Sequence, residues 1–235
     1  LPFTPDDLVN ITLDLARREE MHHDIYIRPL AYKAEKIIGV RLHDLRDEVT
    51  IYAVPFGRYI ESEEGARVCT SSWRRVDDTS IPARGKLAGA YVNSAFIKSE
   101  AMMNGYDEAI VLNPDGHVSE GSAENIFIVR NRTLITPPVS DNILEGITRR
   151  TLMDLATAQL GLQVVERSID RTELYVADEA FFCGTGVQVA AIASVDRRPI
   201  GSGKMGPITA ELRDLYFNVV RGNVPQYCDW CTPVF

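Results

Sequence analysis

Along this chain, segments with a two-residue apolar period and segments with a 3.6-residue period follow one another without strict alternation. That order constrains the fold more than any other feature. A doubly wound parallel sheet needs a crossover helix after each strand. Here strands come in runs, which predicts an α+β fold. Thr4 ahead of Pro5-Asp6-Asp7 reads as a helix start, with a capping hydroxyl, proline at the first helical position and acids at the positive end. Leu8, Ile11 and Leu15 recur at helical spacing, Val9 and Leu13 widen the stripe, and the helix is expected to run to about Glu20. Strands are expected at 25–33, 38–42 and 49–56, the last broken by Pro55-Phe56-Gly57.

Residues 71–82 are polar, carry Asp77-Asp78 and end at Pro82, so they read as a connection between lobes. The expected division is a small α/β lobe at 1–72, a link at 73–82 and a larger lobe at 83–235. In the larger lobe, helices are expected at 85–103, 147–160 and 207–221, with Gly105, Gly161 and Gly222 as stops. Strands are expected at 108–112, 125–129, 162–169, 179–183 and 187–195.

Composition matters for what it excludes. A net charge of −8 argues against non-specific nucleic-acid binding, which needs a basic surface. No apolar run reaches the roughly 20 residues of a membrane helix, and residues 1–7 show no signal peptide, so a cytoplasmic protein is expected. Cys69 and Cys183 stand alone, and Cys228 and Cys231 form a C-x-x-C without a second pair. With His22 and His23 merely adjacent, no metal site is expected.

Four segments could carry chemistry. In Ala83-Arg84-Gly85-Lys86-Leu87-Ala88-Gly89-Ala90-Tyr91, a lysine sits among small residues that would admit a flat ring. Poor solvation would lower its pKa as a Schiff-base lysine requires, although a surface lysine has the same local pattern. In Ser119-Glu120-Gly121-Ser122-Ala123-Glu124-Asn125, a carboxylate held in a turn could pair with a protonated pyridine nitrogen, or could belong to a solvated acidic loop. Leu144-Glu145-Gly146-Ile147-Thr148-Arg149 places glycine and threonine at a helix N-terminus, where free N–H groups can hold an anion. Cys183-Gly184-Thr185-Gly186-Val187 ends a strand with small residues and a hydroxyl, suited to a phosphate or carboxylate or to a plain tight turn. Gly201-Ser202-Gly203-Lys204-Met205-Gly206 matches a dinucleotide-binding pattern, but no βαβ unit follows it, and it reads as a flexible loop.

Taken in order, these segments resemble the fold-type IV pyridoxal-phosphate enzymes, and most of all the branched-chain amino acid aminotransferases. Tyr26-Ile27-Arg28-Pro29-Leu30, Pro55-Phe56-Gly57-Arg58-Tyr59, Ser71-Ser72-Trp73, Ser194-Val195-Asp196 and Gly206-Pro207-Ile208-Thr209 extend the resemblance along nearly the whole chain. It implies a two-lobed fold with a small α/β lobe and a larger pseudo-barrel lobe. By the same resemblance, Lys86 carries pyridoxal 5'-phosphate and shuttles a proton between the α-carbon and the cofactor C4′. Tyr91 lies near the phenolate oxygen, Glu120 pairs with the pyridine nitrogen and Leu144 packs on the ring. Gly146, Ile147, Thr148, Gly184 and Thr185 surround the phosphate. Tyr26 and Arg28 face the substrate, with Arg28 meeting the side-chain carboxylate of glutamate, and Trp73, Thr185, Gly186 and Val187 border it.

The implied reaction moves an amino group from a branched-chain L-amino acid to 2-oxoglutarate, in a homodimer at minimum. A D-amino-acid or (R)-amine transaminase, or a lyase of the same fold, shares the cofactor site. The family ordinarily begins with further strands that carry a phosphate-clamping arginine, and this sequence has no counterpart for them. A catalytically incomplete binding module is therefore the alternative outside enzymes.

Overall fold

The structure is a computed structural model that describes residues 1–57 and 65–235. It divides into two units, Leu1–Arg58 with Cys231–Phe235, and Tyr59–Trp230. In the smaller unit, α1 (Pro5–Arg18) opens with Thr4 as its cap, as expected, and Asp7 completes a capping box. Thr4 Oγ1 accepts from the Asp7 N–H at 3.2 Å, and the Thr4 N–H donates to Asp7 Oδ2 at 2.8 Å. Glu20, in the left-handed region at φ 49°, lies just past its end. Strands β1 (Ile25–Lys33) and β2 (Asp47–Pro55) pair antiparallel from Ile25↔Pro55 to Lys33↔Asp47, and the Lys33–Asp47 ion pair closes the far end at 2.7 Å. The strand expected at 38–42 does not form: Ile38 and Val40 are fully exposed. Its alternation is real, but among the described residues the segment joins neither strand of the two-stranded β1-β2 sheet.

The larger unit is a mixed nine-stranded sheet. Its strands are β3 (Ala66–Arg74), β4 (Glu108–Leu112), β5 (Val118–Gly121), β6 (Asn125–Arg130), β7 (Thr133–Thr136), β8 (Gln163–Glu166), β9 (Glu179–Gly184), β10 (Gln188–Val195) and β11 (Arg198–Pro199). The order is β5-β4-β3-β10-β9-β6-β7-β8, with β11 on β10. The expected boundary at residue 72 therefore falls inside a strand. β3 runs parallel to both β4 and β10, so 66–74 belongs to the large sheet rather than to the small lobe or a link. The polar run Ser71-Ser72 that suggested a connection is a bulge in that strand.

Strand periodicity buries both faces. Ile126 and Ile128 point into the curl of the sheet with Val118, Phe182, Ile192 and Val195. Phe127 and Val129 point outward beneath α3 (Ile147–Ala158) and α4 (Pro207–Val220), where Leu152, Leu155, Leu212 and Val219 cover them. Phe127 stacks on Phe181 at 5.1 Å between centroids. A third helix, α2 (Tyr91–Met103), packs Ile97 and Ala101 on β3 and β4. It is shorter than the helix expected at 85–103. Leu87 is extended and Ala88–Ala90 forms a single 3-10 turn, so Lys86 sits on a loop ahead of the helix. Glycines at 85 and 89 weaken helix formation there.

Two buried carboxyls tie helices to the sheet. Glu179 of β9 accepts from the Ile208 N–H at 3.0 Å and from the Thr209 N–H and hydroxyl at 2.7 Å, capping α4 from outside the helix. Gly206 is required there by space, because a Cβ would lie 2.1 Å from the Glu179 carboxyl carbon. Glu108 of β4 pairs with Lys98 of α2 at 2.7 Å, and buried Glu124 is close enough to feel its charge. Burial first, and Glu108 second, push the Glu124 carboxyl up to about 8.

Glu179 and Glu124 each generate a prediction. Glu179→Ala leaves buried donors without acceptors and is expected to lower the unfolding free energy by about 3 kcal/mol, read by urea denaturation. Folded chains keep a proton on Glu124 that unfolded chains release in the ordinary carboxylate range, so stability falls as pH rises toward about 8. Glu124→Gln is expected to remove that slope. Parent and variant should match at pH ~5 and the variant should be the more stable at pH ~9; parallel profiles would contradict the assignment.

Candidate active site

The loop ahead of α2 presents Lys86 to solvent, and its Nζ donates to the Tyr91 hydroxyl at 2.7 Å. The same nitrogen lies 5.3 Å from the Tyr91 ring centroid. Tyr91 is the first residue of α2, so the helix fixes the phenol and the phenol fixes the amine. The desolvation expected for Lys86 is not supplied by its small neighbours, because Lys86, Leu87, Ala88 and Gly89 are all exposed.

Glu120 lies on strand β5, not in a turn, and is 4% exposed. Arg75 meets its Oε1 at 2.7 Å, while the Asn125 amide and the Leu144 N–H donate to Oε2 at 3.1 and 3.0 Å. Arg75 is itself largely shielded, its side chain 10% exposed, and donates from Nε to the Asn142 carbonyl at 3.1 Å. Burial pushes the Glu120 carboxyl up, against the Arg75 charge, the Leu144 N–H and the charges of Lys86 and Arg149. The charge of Lys86 thus acts on Glu120, 34 residues away in sequence.

Asn125 also joins Glu120 to the anion-site candidate. Its amide donates to the Leu144 carbonyl at 2.9 Å, and its Oδ1 fills the space beside Gly146. A Cβ on Gly146 would come within 2.2 Å of that oxygen, so close approach selects glycine although its φ of −66° is ordinary. Gly146 caps α3 without a side chain, leaving the N–H groups of the first turn to a ligand or water. Ile147 is exposed there, and Thr148 is buried and hydrogen-bonded to Tyr216 of α4. Asn125 pairs with Cys183 across β6 and β9, which brings the Thr185-Gly186-Val187 turn to the same end of the sheet. Thr185 is exposed, but the Val187 side chain lies in the core, so only its backbone can border a ligand.

Trp73, at the end of β3, is 44% exposed and stacks on Phe96 of α2 at 4.8 Å. Tyr26 and Arg28 lie in the smaller unit and are mutual neighbours: Arg28 donates to the Tyr26 hydroxyl at 3.0 Å, and Tyr26 packs on Phe56 at 5.1 Å. Arg58 and Tyr59, quoted with Gly57 for the resemblance, lie outside the described residues.

Sequence reasoning missed Arg75 and gave Asn125 no role. Arg75 follows a polar bulge and has no local pattern to mark it. Asn125 was the last residue of a motif whose first carboxylate drew the attention. A buried carboxylate with a cationic partner, an amine held by a phenol, and an uncapped helix N-terminus together suit a ligand with a protonated ring nitrogen, a carbonyl and a phosphate.

Residues 1–195 match the family model for amino-transferase class IV. A probable branched-chain-amino-acid aminotransferase of Aquifex aeolicus is 49% identical over all 235 residues, which cover 76% of that protein. The crystal structure of the branched-chain amino acid aminotransferase from Thermobaculum terrenum, in its PLP-form, superposes with a TM-score of 0.95 at 45% identity, covering 100% of this chain and 76% of that one. The branched-chain aminotransferase from Thermoproteus uzoniensis with norvaline gives 0.95 at 44% identity, covering 100% and 77%. With a family match across most of its length and relatives at this identity, the chain belongs to the class IV aminotransferases.

Proposed function

We propose that this protein transfers an amino group between branched-chain L-amino acids and 2-oxoglutarate, with pyridoxal 5'-phosphate as cofactor. The observation that carries the chemistry is the Glu120 carboxylate, buried and bound by Arg75, in electrostatic reach of Lys86. The relatives, named as branched-chain aminotransferases, carry the substrate class and favour it over D-amino acids or (R)-amines.

The residues fit the cofactor. Glu120 would meet its ring nitrogen and Leu144 its face. The N–H groups of Ile147 and Thr148 and the hydroxyls of Thr148 and Thr185, with Gly146 and Gly184 leaving room, would hold its phosphate. When bound, pyridoxal phosphate supplies an electron sink for the pair left on an amino acid's α-carbon. Arg75, paired with Glu120 at 2.7 Å, opposes the protonation that burial favours there. Lys86 Nζ moves the proton at the α-carbon, and the Tyr91 hydroxyl, 2.7 Å away, orients it. Trp73 and the backbone of Thr185, Gly186 and Val187 border the substrate. The family resemblance alone assigns Tyr26 and Arg28 to the substrate, with Arg28 taking the distal carboxylate of glutamate. A cytoplasmic homodimer is the assembly this reading expects, and native mass measurement giving monomer alone would count against it.

The test is the visible absorbance of the purified protein after incubation with pyridoxal phosphate. L-Leucine should bleach the band and 2-oxoglutarate should restore it. Bleaching by D-amino acids or (R)-amines alone would transfer the reading to those substrates. Lys86→Ala should cost about 10²–10⁴-fold or more in turnover. Arg28→Leu should raise KM for 2-oxoglutarate about ten- to a hundredfold, with KM for leucine little changed.

A further inference from the structure

Strand β3 leaves its regular path just before the site. Thr70 pairs with Ile110 and Arg74 with Leu112, so Ser71, Ser72 and Trp73 lie opposite a single residue of β4. Bulges of this kind re-aim a side chain, and here the re-aimed residue is Trp73. A carboxylate from another element holds the bulge. Glu100 of α2 accepts from the Ser71 hydroxyl at 2.5 Å, from the Ser72 N–H at 3.0 Å and from the Ser72 hydroxyl. Ser71 Oγ in turn accepts from the Trp73 N–H at 3.1 Å. A continuous chain thus runs from the Glu100 carboxylate through one hydroxyl to the backbone of Trp73.

The same helix holds the rest of that residue's surroundings. Asn93 donates to the Arg74 carbonyl at 3.1 Å, and Phe96 stacks under the Trp73 ring with 21° between planes. Asn93, Phe96 and Glu100 lie at i, i+3 and i+7, which is one face of α2. The stack contributes little to the core, since Trp73 is 44% and Phe96 51% exposed. Three hydrogen bonds to one half-buried carboxylate are more than an exposed aromatic pair needs for stability alone. Burial works against ionisation of Glu100, but these donors hold its carboxyl below the usual range, so the anchor is charged at neutral pH.

We propose that Glu100 is a positioning residue for the substrate: through Ser71 and Ser72 it fixes the bulge that aims Trp73, and so sets the wall against which the substrate side chain packs. This rests on the reading that Trp73 borders the substrate. Because α2 begins at Tyr91, one rigid helix then spaces that wall from the hydroxyl that orients Lys86.

The test uses the holoenzyme with Trp230→Phe, which leaves Trp73 as the remaining one of two tryptophans. Glu100→Ala should shift the Trp73 emission and raise KM for L-leucine about tenfold, with kcat within about twofold. Glu100→Gln, which keeps the length and an acceptor oxygen, should recover most of both. Trp73→Ala is measured alongside. If it leaves KM for leucine unchanged, Trp73 does not border the substrate, and both the underlying reading and the proposal fail. If Trp73→Ala raises KM while Glu100→Ala leaves emission and KM at parent values, the reading stands and the positioning role is overturned. A fall in kcat without a change in KM also overturns it. Should Glu100→Ala not fold, Ser71→Ala removes only the hydroxyl between Glu100 and Trp73. The same shifts in smaller measure support the proposal, and parent-like emission and KM overturn it.

Discussion

A carboxylate without water must be held by something, and the arrangement around Glu120 is the solution the larger unit is built around. Arg75, Asn125 and the Leu144 N–H reach it from three segments, the end of β3, the start of β6 and the turn before α3. None of these donors is interchangeable with solvent, because Glu120 lies inside the sheet. Removing one would leave a buried charge or a buried donor unpaired. The carboxylate therefore sets the register of the segments that meet there. Gly146 follows from it directly, since Asn125 can serve Glu120 and Leu144 only if nothing larger occupies that position.

Helix α2 is the second constraint. Its first residue holds the Lys86 amine, and its next turns carry the contacts to the β3 bulge. Its other face is fixed to the sheet by Ile97 and Ala101 and by the Lys98–Glu108 pair. A helix anchored on one face can present the other at fixed spacing, which loops cannot do. Lys86 itself stays on the loop ahead of the helix, so its amine takes its position from the phenol that the helix holds.

Much of this was legible in the sequence, in proportion to how local its causes are. The Thr4 cap and the strand at Ile25–Lys33 rest on neighbours a few residues away, and both stand as read. The α3 start at Gly146-Ile147 was legible for the same reason. The strand at 38–42 failed because alternation states a preference and only a partner makes a strand. β3 was missed: its second half reads as a connection because Ser71 and Ser72 are polar, and the carboxylate that satisfies them lies 28 residues beyond Ser72. β5 is four residues long, too short to show a period, so Glu120 read as a turn residue. Arg75 has no local signature at all, since its meaning lies wholly in Glu120 across the sheet.

The charge balance of the neighbourhood is set by burial as much as by composition, in a chain of net charge −8. Three cations, Arg75, Lys86 and Arg149, act on Glu120. Glu124 would oppose them, but with its carboxyl pushed up to about 8 it carries a proton near neutral pH. Burial thus removes one negative charge beside Glu120, while Arg75 is paired with Glu120 and Arg149 with Glu166. The α3 start, which no side chain caps, leaves backbone N–H groups that can meet an anion. Carboxylates are kept charged where water reaches them and neutralised or paired where it does not.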